Sequence, residues 1–254
     1  MGKLYAFGCS FTRWDWPTWA DILGQIMPYE NWGWPGTGNL FIHNRLIECH
    51  TRNKITADDT VIIMWTNITR LDHYFNYGWV GRGNLNEGNF PKDLLLEYTD
   101  ARGCLIRDLG FIEGTRLLLK NIGCKFIFLS MVPISNPDQY ERDIVAAERI
   151  SDVLEVYADT LGEIRPSVFE TLFDFNWGKF GINRDQHPTP MEHLAYIKKV
   201  CPEFLIDQNI ENWVENEFQK SLRKFPNPKN PKFPAAYRNP RENTLWDPIT
   251  RGQF

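Results

Sequence analysis

The chain has 254 residues, 28 basic against 32 acidic side chains, a formal charge of −4 and 43% apolar residues. That length buries a large core without metals or disulfides, and the composition excludes a disordered or collagen-like chain. A pI near 5.8 leaves no electrostatic reason for nucleic-acid binding, and no apolar run is long enough for a membrane span.

Short apolar runs alternate with helical patterns, which is the signature of βαβ units around a parallel sheet. Strands are expected at Leu4–Phe7, Val61–Trp65 and Lys125–Leu129, each apolar on both alternations as in a sheet covered on both faces. Weaker strands are expected near Tyr29–Trp32 and Glu170–Phe175, giving a three-layer α/β/α, flavodoxin-like fold of about five strands. Helices are expected at roughly 16–27, 38–53, 105–123, 141–161 and 189–199, with Leu105, Leu109, Ile112, Arg116 and Leu119 showing the helical spacing. The Gly- and Asn-rich stretch 76–92 reads as an inserted surface loop. Residues 1–222 are expected to form one domain. Beyond it, Pro226, Pro228, Pro231, Pro234, Pro240 and Pro248 punctuate a basic stretch that no helix or inner strand tolerates, so 223–254 is expected to be an extended tail, packed on its own domain or docked to an oligomer or assembly partner.

Cys9, Cys49, Cys104, Cys124 and Cys201 form an odd set without metal-like spacing. Together with the absence of a signal-peptide pattern, they fit reduced thiols in a cytoplasmic protein. No phosphate-binding glycine motif is present, so no nucleotide cofactor is expected, and no metal.

Four blocks sit at strand ends, where open α/β sheets build their sites. They are Gly8-Cys9-Ser10-Phe11-Thr12, Asn31-Trp32-Gly33-Trp34-Pro35-Gly36-Thr37-Gly38-Asn39, Trp65-Thr66-Asn67, and Asp185-Gln186-His187-Pro188. A serine hydroxyl needs a base to become a nucleophile, and the base needs an acceptor on its other nitrogen. Glycine amides and an asparagine side chain are the donors that an oxyanion requires.

The ordered set resembles the SGNH, or GDSL-type, serine hydrolases over roughly residues 3–200. The resemblance implies Ser10 as nucleophile, His187 as base and Asp185 as its orienting acid. It implies an oxyanion hole from the Ser10 amide, the Gly36 amide (Gly38 being the alternative) and the Asn67 side chain. The sequence departs from the family pattern in three places: Cys9 stands where an Asp usually precedes the serine, Ile68 follows Asn67 where an Asp is usual, and one residue separates Asp185 from His187 where two are commoner. His193 is expected to face solvent.

Ten tryptophans are about three times ordinary usage. Trp14, Trp16, Trp32, Trp34, Trp65 and Trp177 all fall near the proposed site residues. Flat rings at a polar cleft suit the apolar faces of sugars, so Trp14, Trp34 and Trp65 are expected to bind substrate. The expected activity is removal of a small O-acyl group, such as acetyl, from a carbohydrate, without a cofactor. Two rival readings remain open: an O-acyltransferase with the same catalytic groups, and a binding or structural protein that reuses the fold. The compact, signal-free style resembles phage-encoded members of the family, which would make it virion-associated.

Overall fold

The computed structural model describes residues 2–75, 78–84, 91, 93, 95, 100–135, 146–173 and 187–224. Six strands are described: β1 (Leu4–Gly8), β2 (Tyr29–Asn31), β3 (Thr60–Trp65), β4 (Arg70–Phe75), β5 (Gly78–Asn84) and β6 (Lys125–Ser130). Around them lie α1 (Trp19–Leu23), α2 (Asn39–Asn53), α3 (Ala101–Ile122), α4 (Ala146–Val156), α5 (Ala158–Gly162), α6 (Pro190–Val200) and α7 (Gln208–Lys224).

Strands β2, β1, β3 and β6 form one sheet in that order, every pair parallel. Strand alternation divides the interior into two cores. Tyr5, Phe7, Val61, Ile63, Trp65 and Phe128 face one way and pack with Ile42 and Leu46 of α2, Leu105, Leu109 and Ile112 of α3, and Ile150 and Val153 of α4. Leu4, Ala6, Ile62, Met64, Ile127 and Leu129 face the other way, against Trp19 and Leu23 of α1 and Tyr196 and Ile197 of α6. Burial on both faces is what makes these strands apolar at every position.

The order also sets the location of a site. From β1 the chain crosses to β2 on one side, and β2 then crosses back over β1 to β3 on the other. The crevice at such a reversal lies outside the carboxyl ends of β1 and β3, and those ends are Gly8 and Trp65, with Gly8 in register with Met64.

Two segments differ from the sequence expectation. Over the described part of the strand expected at 170–175 no strand forms, because Phe169–Phe173 is a turn of π-helix, and 174 and 175 lie outside the described residues. A single parallel bridge from Phe128 to Ile164 stands where that strand would pair, and Pro166 follows immediately, withholding a backbone N–H from any continued ladder. The stretch beginning at 76 is not all loop: Gly78–Asn84 pairs antiparallel with β4, with Tyr74 opposite Trp79. An aromatic cross-strand pair outweighs the glycines. The first helix is shorter than expected, and α7, which the sequence reading missed, extends the folded part to Lys224. The proline-rich tail from 225 onward lies outside the described residues.

The turn after β1 depends on Gly8. A Cβ there would sit 2.0 Å from Thr12 Oγ1 and 3.0 Å from the Met64 carbonyl oxygen. Gly8→Ala is therefore expected to cost about 1–3 kcal/mol, read as a lower urea midpoint with an unchanged m-value.

Candidate active site

The turn after β1 is closed by the Cys9 carbonyl, which accepts from the amides of Thr12 (2.9 Å) and Arg13 (3.1 Å). Ser10 lies at the start of this turn and is 3% exposed. The Thr12 carbonyl accepts from Asn31 Nδ2 (2.7 Å) and Thr18 Oγ1 (2.6 Å), tying the turn to the end of β2 and the start of α1. The Trp34 amide donates to the Gly8 carbonyl (3.0 Å), so the loop between β2 and α2 runs alongside the serine turn.

Within that loop Thr37 Oγ1 donates to the Trp34 carbonyl (2.7 Å), and Gly36 adopts φ +78°, a left-handed conformation that glycine takes without strain. Gly38 caps α2, and its amide donates to Asp72 Oδ1 (2.7 Å), while the Phe41 amide donates to Asp72 Oδ2 (2.9 Å). With its amide spent, Gly38 has no donor left for an oxyanion. Of the two glycine candidates, Gly36 is the one with a free N–H: neither it nor the Ser10 amide has an acceptor among the described residues.

After β3, Asn67 Oδ1 accepts from Thr69 N (3.0 Å) and Thr69 Oγ1 (3.1 Å). This Asx turn fixes the carboxamide by its oxygen and leaves Nδ2 as the donor. Behind it, Asn39 Oδ1 accepts from the Thr66 amide (2.9 Å) while Asn39 Nδ2 donates to the Thr66 carbonyl (3.1 Å) and to Asp108 Oδ2 (2.7 Å). Arg107 Nε donates to Asp108 Oδ1 (2.7 Å), and its Nη2 reaches the Ile68 carbonyl (2.8 Å). Burial pushes the Asp108 carboxyl up to about 6, against the opposing pull of the Arg107 hydrogen bond and charge. None of these supports was singled out from sequence. Asp108 had a signal: it lies on the same helical stripe as Leu105, Leu109 and Ile112, where an acid demands a buried partner.

His187 is half-buried and stacks on Trp14, with ring centroids 3.5 Å apart and planes 14° apart. Phe11 meets it edge-on at 5.7 Å. The imidazole thus rests on two rings that follow Ser10 by one and four residues in the chain. Trp16 Nε1 donates to the Pro188 carbonyl (2.7 Å), and a capping box between Thr189 and Glu192 starts α6 directly afterwards. Ser10 Oγ and His187 are not hydrogen-bonded to each other in this conformation. Asp185 and Trp177 lie outside the described residues.

Two expectations are corrected. Trp65 cannot bind substrate: it is 0% exposed, because strand alternation sends it into the core with Val61 and Ile63, edge-on to Phe128 at 5.6 Å. His193 does not face solvent. It shares a helical stripe with Pro190, Leu194 and Ile197, is 1% exposed, and meets Phe11 edge-on at 6.5 Å. Trp16, Trp19 and Trp32 are also buried, whereas Trp14 and Trp34 are half-exposed, Trp34 lying under the Arg13 guanidinium at 4.9 Å.

Neither a protein-family model nor a curated protein matches this sequence. Among solved structures it is similar to a member of the lipolytic G-D-S-L family from Veillonella parvula, at 16% identity and a TM-score of 0.46 over 80% of this chain and 100% of that one. It is also similar to an acetylxylan esterase from Geobacillus stearothermophilus, at 13% identity and a TM-score of 0.43 over 79% of this chain and 94% of that one. Likeness at this level says nothing of what this chain acts on. No helix among the described residues is long and apolar enough to cross a membrane.

Burial, and secondarily the nearby His187, push the His193 imidazole down from its ordinary 6.5 to about 3. A depressed folded-state value means stability that is present above pH 6.5 and lost as pH falls toward 3, at up to about 1.4 kcal/mol per pH unit. Asp108, raised from 3.8, has the opposite sign: its contribution is present below 3.8 and lost as pH rises through about 6. The stability difference between the wild type and His193→Leu isolates the histidine. The stability of the wild type minus that of the variant is expected to fall steadily as pH drops from 6.5 to 4 in urea titrations, whereas a pH-independent difference would mean that His193 does not titrate in this way.

Proposed function

We propose that the protein is a serine esterase of SGNH type that removes a small O-acyl group, most simply acetyl, from a carbohydrate. The observation that carries this reading is the set of unspent donors at the sheet reversal: the Ser10 amide, the Gly36 amide and Asn67 Nδ2, with an imidazole seated on the serine turn. Of the three residues only Ser10 is fully buried, with Gly36 and Asn67 partly so, and an oxyanion is a ligand that uses three such donors together.

In this reading His187 takes the proton of Ser10 Oγ as the oxygen attacks the ester carbonyl, and the negative charge that develops is met by the three donors. Collapse expels the sugar hydroxyl, protonated by His187, and leaves an acyl-serine. Water, deprotonated by the same imidazole, then releases the acid. Asp185, two residues before the base, is assigned to hold its tautomer. The serine–histidine hydrogen bond need not be made before substrate binds, since such contacts commonly tighten only in the reacting complex. Trp14 and Trp34, both half-exposed, are the rings assigned to the sugar.

Aryl acetate hydrolysis and fluorophosphonate labelling test the proposal. Ser10→Ala and His187→Ala are each expected to lose on the order of 10⁶-fold in kcat, and Asn67→Ala about 10²–10³-fold. Label should appear on Ser10 and vanish in His187→Ala. A folded wild type that neither labels nor hydrolyses would overturn the esterase and favour a binding role. Acyl transfer to an added sugar in preference to water would make it a transferase.

A further inference from the structure

The peptide that joins Thr37 to Gly38, immediately downstream of Gly36, is held at both ends by side chains of β4. Its carbonyl oxygen accepts from Arg70 Nη1 (2.9 Å), and its N–H donates to Asp72 Oδ1 (2.7 Å). Arg70 and Asp72 are two apart on β4, where its pairing with β5 shifts register, and both side chains reach this one peptide. The approach leaves no slack: a Cβ on Gly38 would lie 2.9 Å from Asp72 Oδ2 and 3.0 Å from Arg70 Cβ.

Arg70 also touches the other parts of the site. Its amide donates to the Asn67 carbonyl (3.2 Å), closing the turn that carries the carboxamide. Its carbonyl accepts from Arg107 Nη2 (3.3 Å), and its Nη2 lies 3.8 Å from Met131 Sδ beyond the end of β6. The same sulfur receives Thr66 Oγ1 at 3.8 Å and Cys9 Sγ at 4.0 Å. One side chain therefore spans the Gly36 loop and the end of β6, while its own backbone belongs to the Asn67 turn.

We infer that Arg70 is a positioning residue of the oxyanion hole: its guanidinium, with Asp72, clamps the Thr37–Gly38 peptide and so fixes the loop that carries the Gly36 amide relative to the Asn67 turn. This inference rests on the esterase reading above. A planar guanidinium presents its donors in a fixed, widely spaced fork, so one rigid head reaches the Thr37 carbonyl and Met131 Sδ together, a geometry that the compact ammonium of a lysine does not reproduce.

The test compares wild type, Arg70→Met and Arg70→Lys on an aryl acetate, alongside urea unfolding and fluorophosphonate labelling of Ser10. Arg70→Met is expected to lower kcat about 10–100-fold, less than loss of a direct oxyanion donor, with KM within about two-fold and Ser10 still labelled, though more slowly. Arg70→Lys is expected to recover part of kcat, and it serves as the second variant should Arg70→Met fail to fold. Unchanged kcat in both variants would overturn the inference. So would a fall in kcat that merely tracks a fall in unfolding midpoint, with no recovery by lysine. A wild type that does not label at Ser10 would remove the esterase reading and this inference with it. Label on the wild type with no kcat effect in the variants would remove the inference alone.

Discussion

The Asn39 carboxamide holds this site together. It bonds the Thr66 backbone at both its N–H and its C=O, as a neighbouring strand would, and so continues the sheet's hydrogen bonding past the end of β3 with a side chain. Because Asn39 is also the first residue of α2, this contact joins the loop that carries Gly36 to the turn that carries Asn67. Asp108 then fixes which end of the amide faces the Thr66 carbonyl, since it accepts only from the nitrogen. The Asn39–Thr66 contact and the Arg70–Asp72 clamp are two separate ties between the loops that carry the proposed oxyanion donors.

Holding them has an energetic cost. Asp72 and Asp108 are both buried carboxylates whose ionised forms are disfavoured by desolvation. Their compensation is local: two helix-end amides for Asp72, the Arg107 fork and the Asn39 amide for Asp108. Replacing such a cluster by apolar side chains of similar volume is often neutral or stabilising. Its presence beneath the site is better explained by the geometry it enforces than by net stability, and the β4–β5 hairpin owes its position here to that geometry.

What could be read from the sequence follows from the range of each interaction. The parallel strands were legible because burial on both faces leaves a local apolar run, and the placement of Ser10, Gly36 and Asn67 in the loops after β1, β2 and β3 was legible because strand ends are local features. The Arg70, Asp72 and Asp108 contacts join residues 31 to 69 positions apart, and although the helical stripe shows that Asp108 needs a buried partner, no local pattern says which residue that is. The tryptophan excess misled in part for the same reason. Proximity in sequence to a site residue does not say which face of a strand a ring takes, and alternation alone puts Trp65 in the core one residue before Thr66 and two before Asn67.

The seat of His187 differs in kind from the hydrogen-bonded loops opposite it. Stacking on Trp14 and the edge contact with Phe11 set the plane of the imidazole. Ring contacts of this kind carry less angular precision than charge-assisted hydrogen bonds. The proposed donors, in contrast, sit on loops braced by the side-chain hydrogen bonds of Asn39, Asp72 and Arg70. An oxyanion hole loses its advantage if its dipoles must reorient during the reaction, so hydrogen-bonded bracing on the donor side is what the proposed chemistry would ask of this fold.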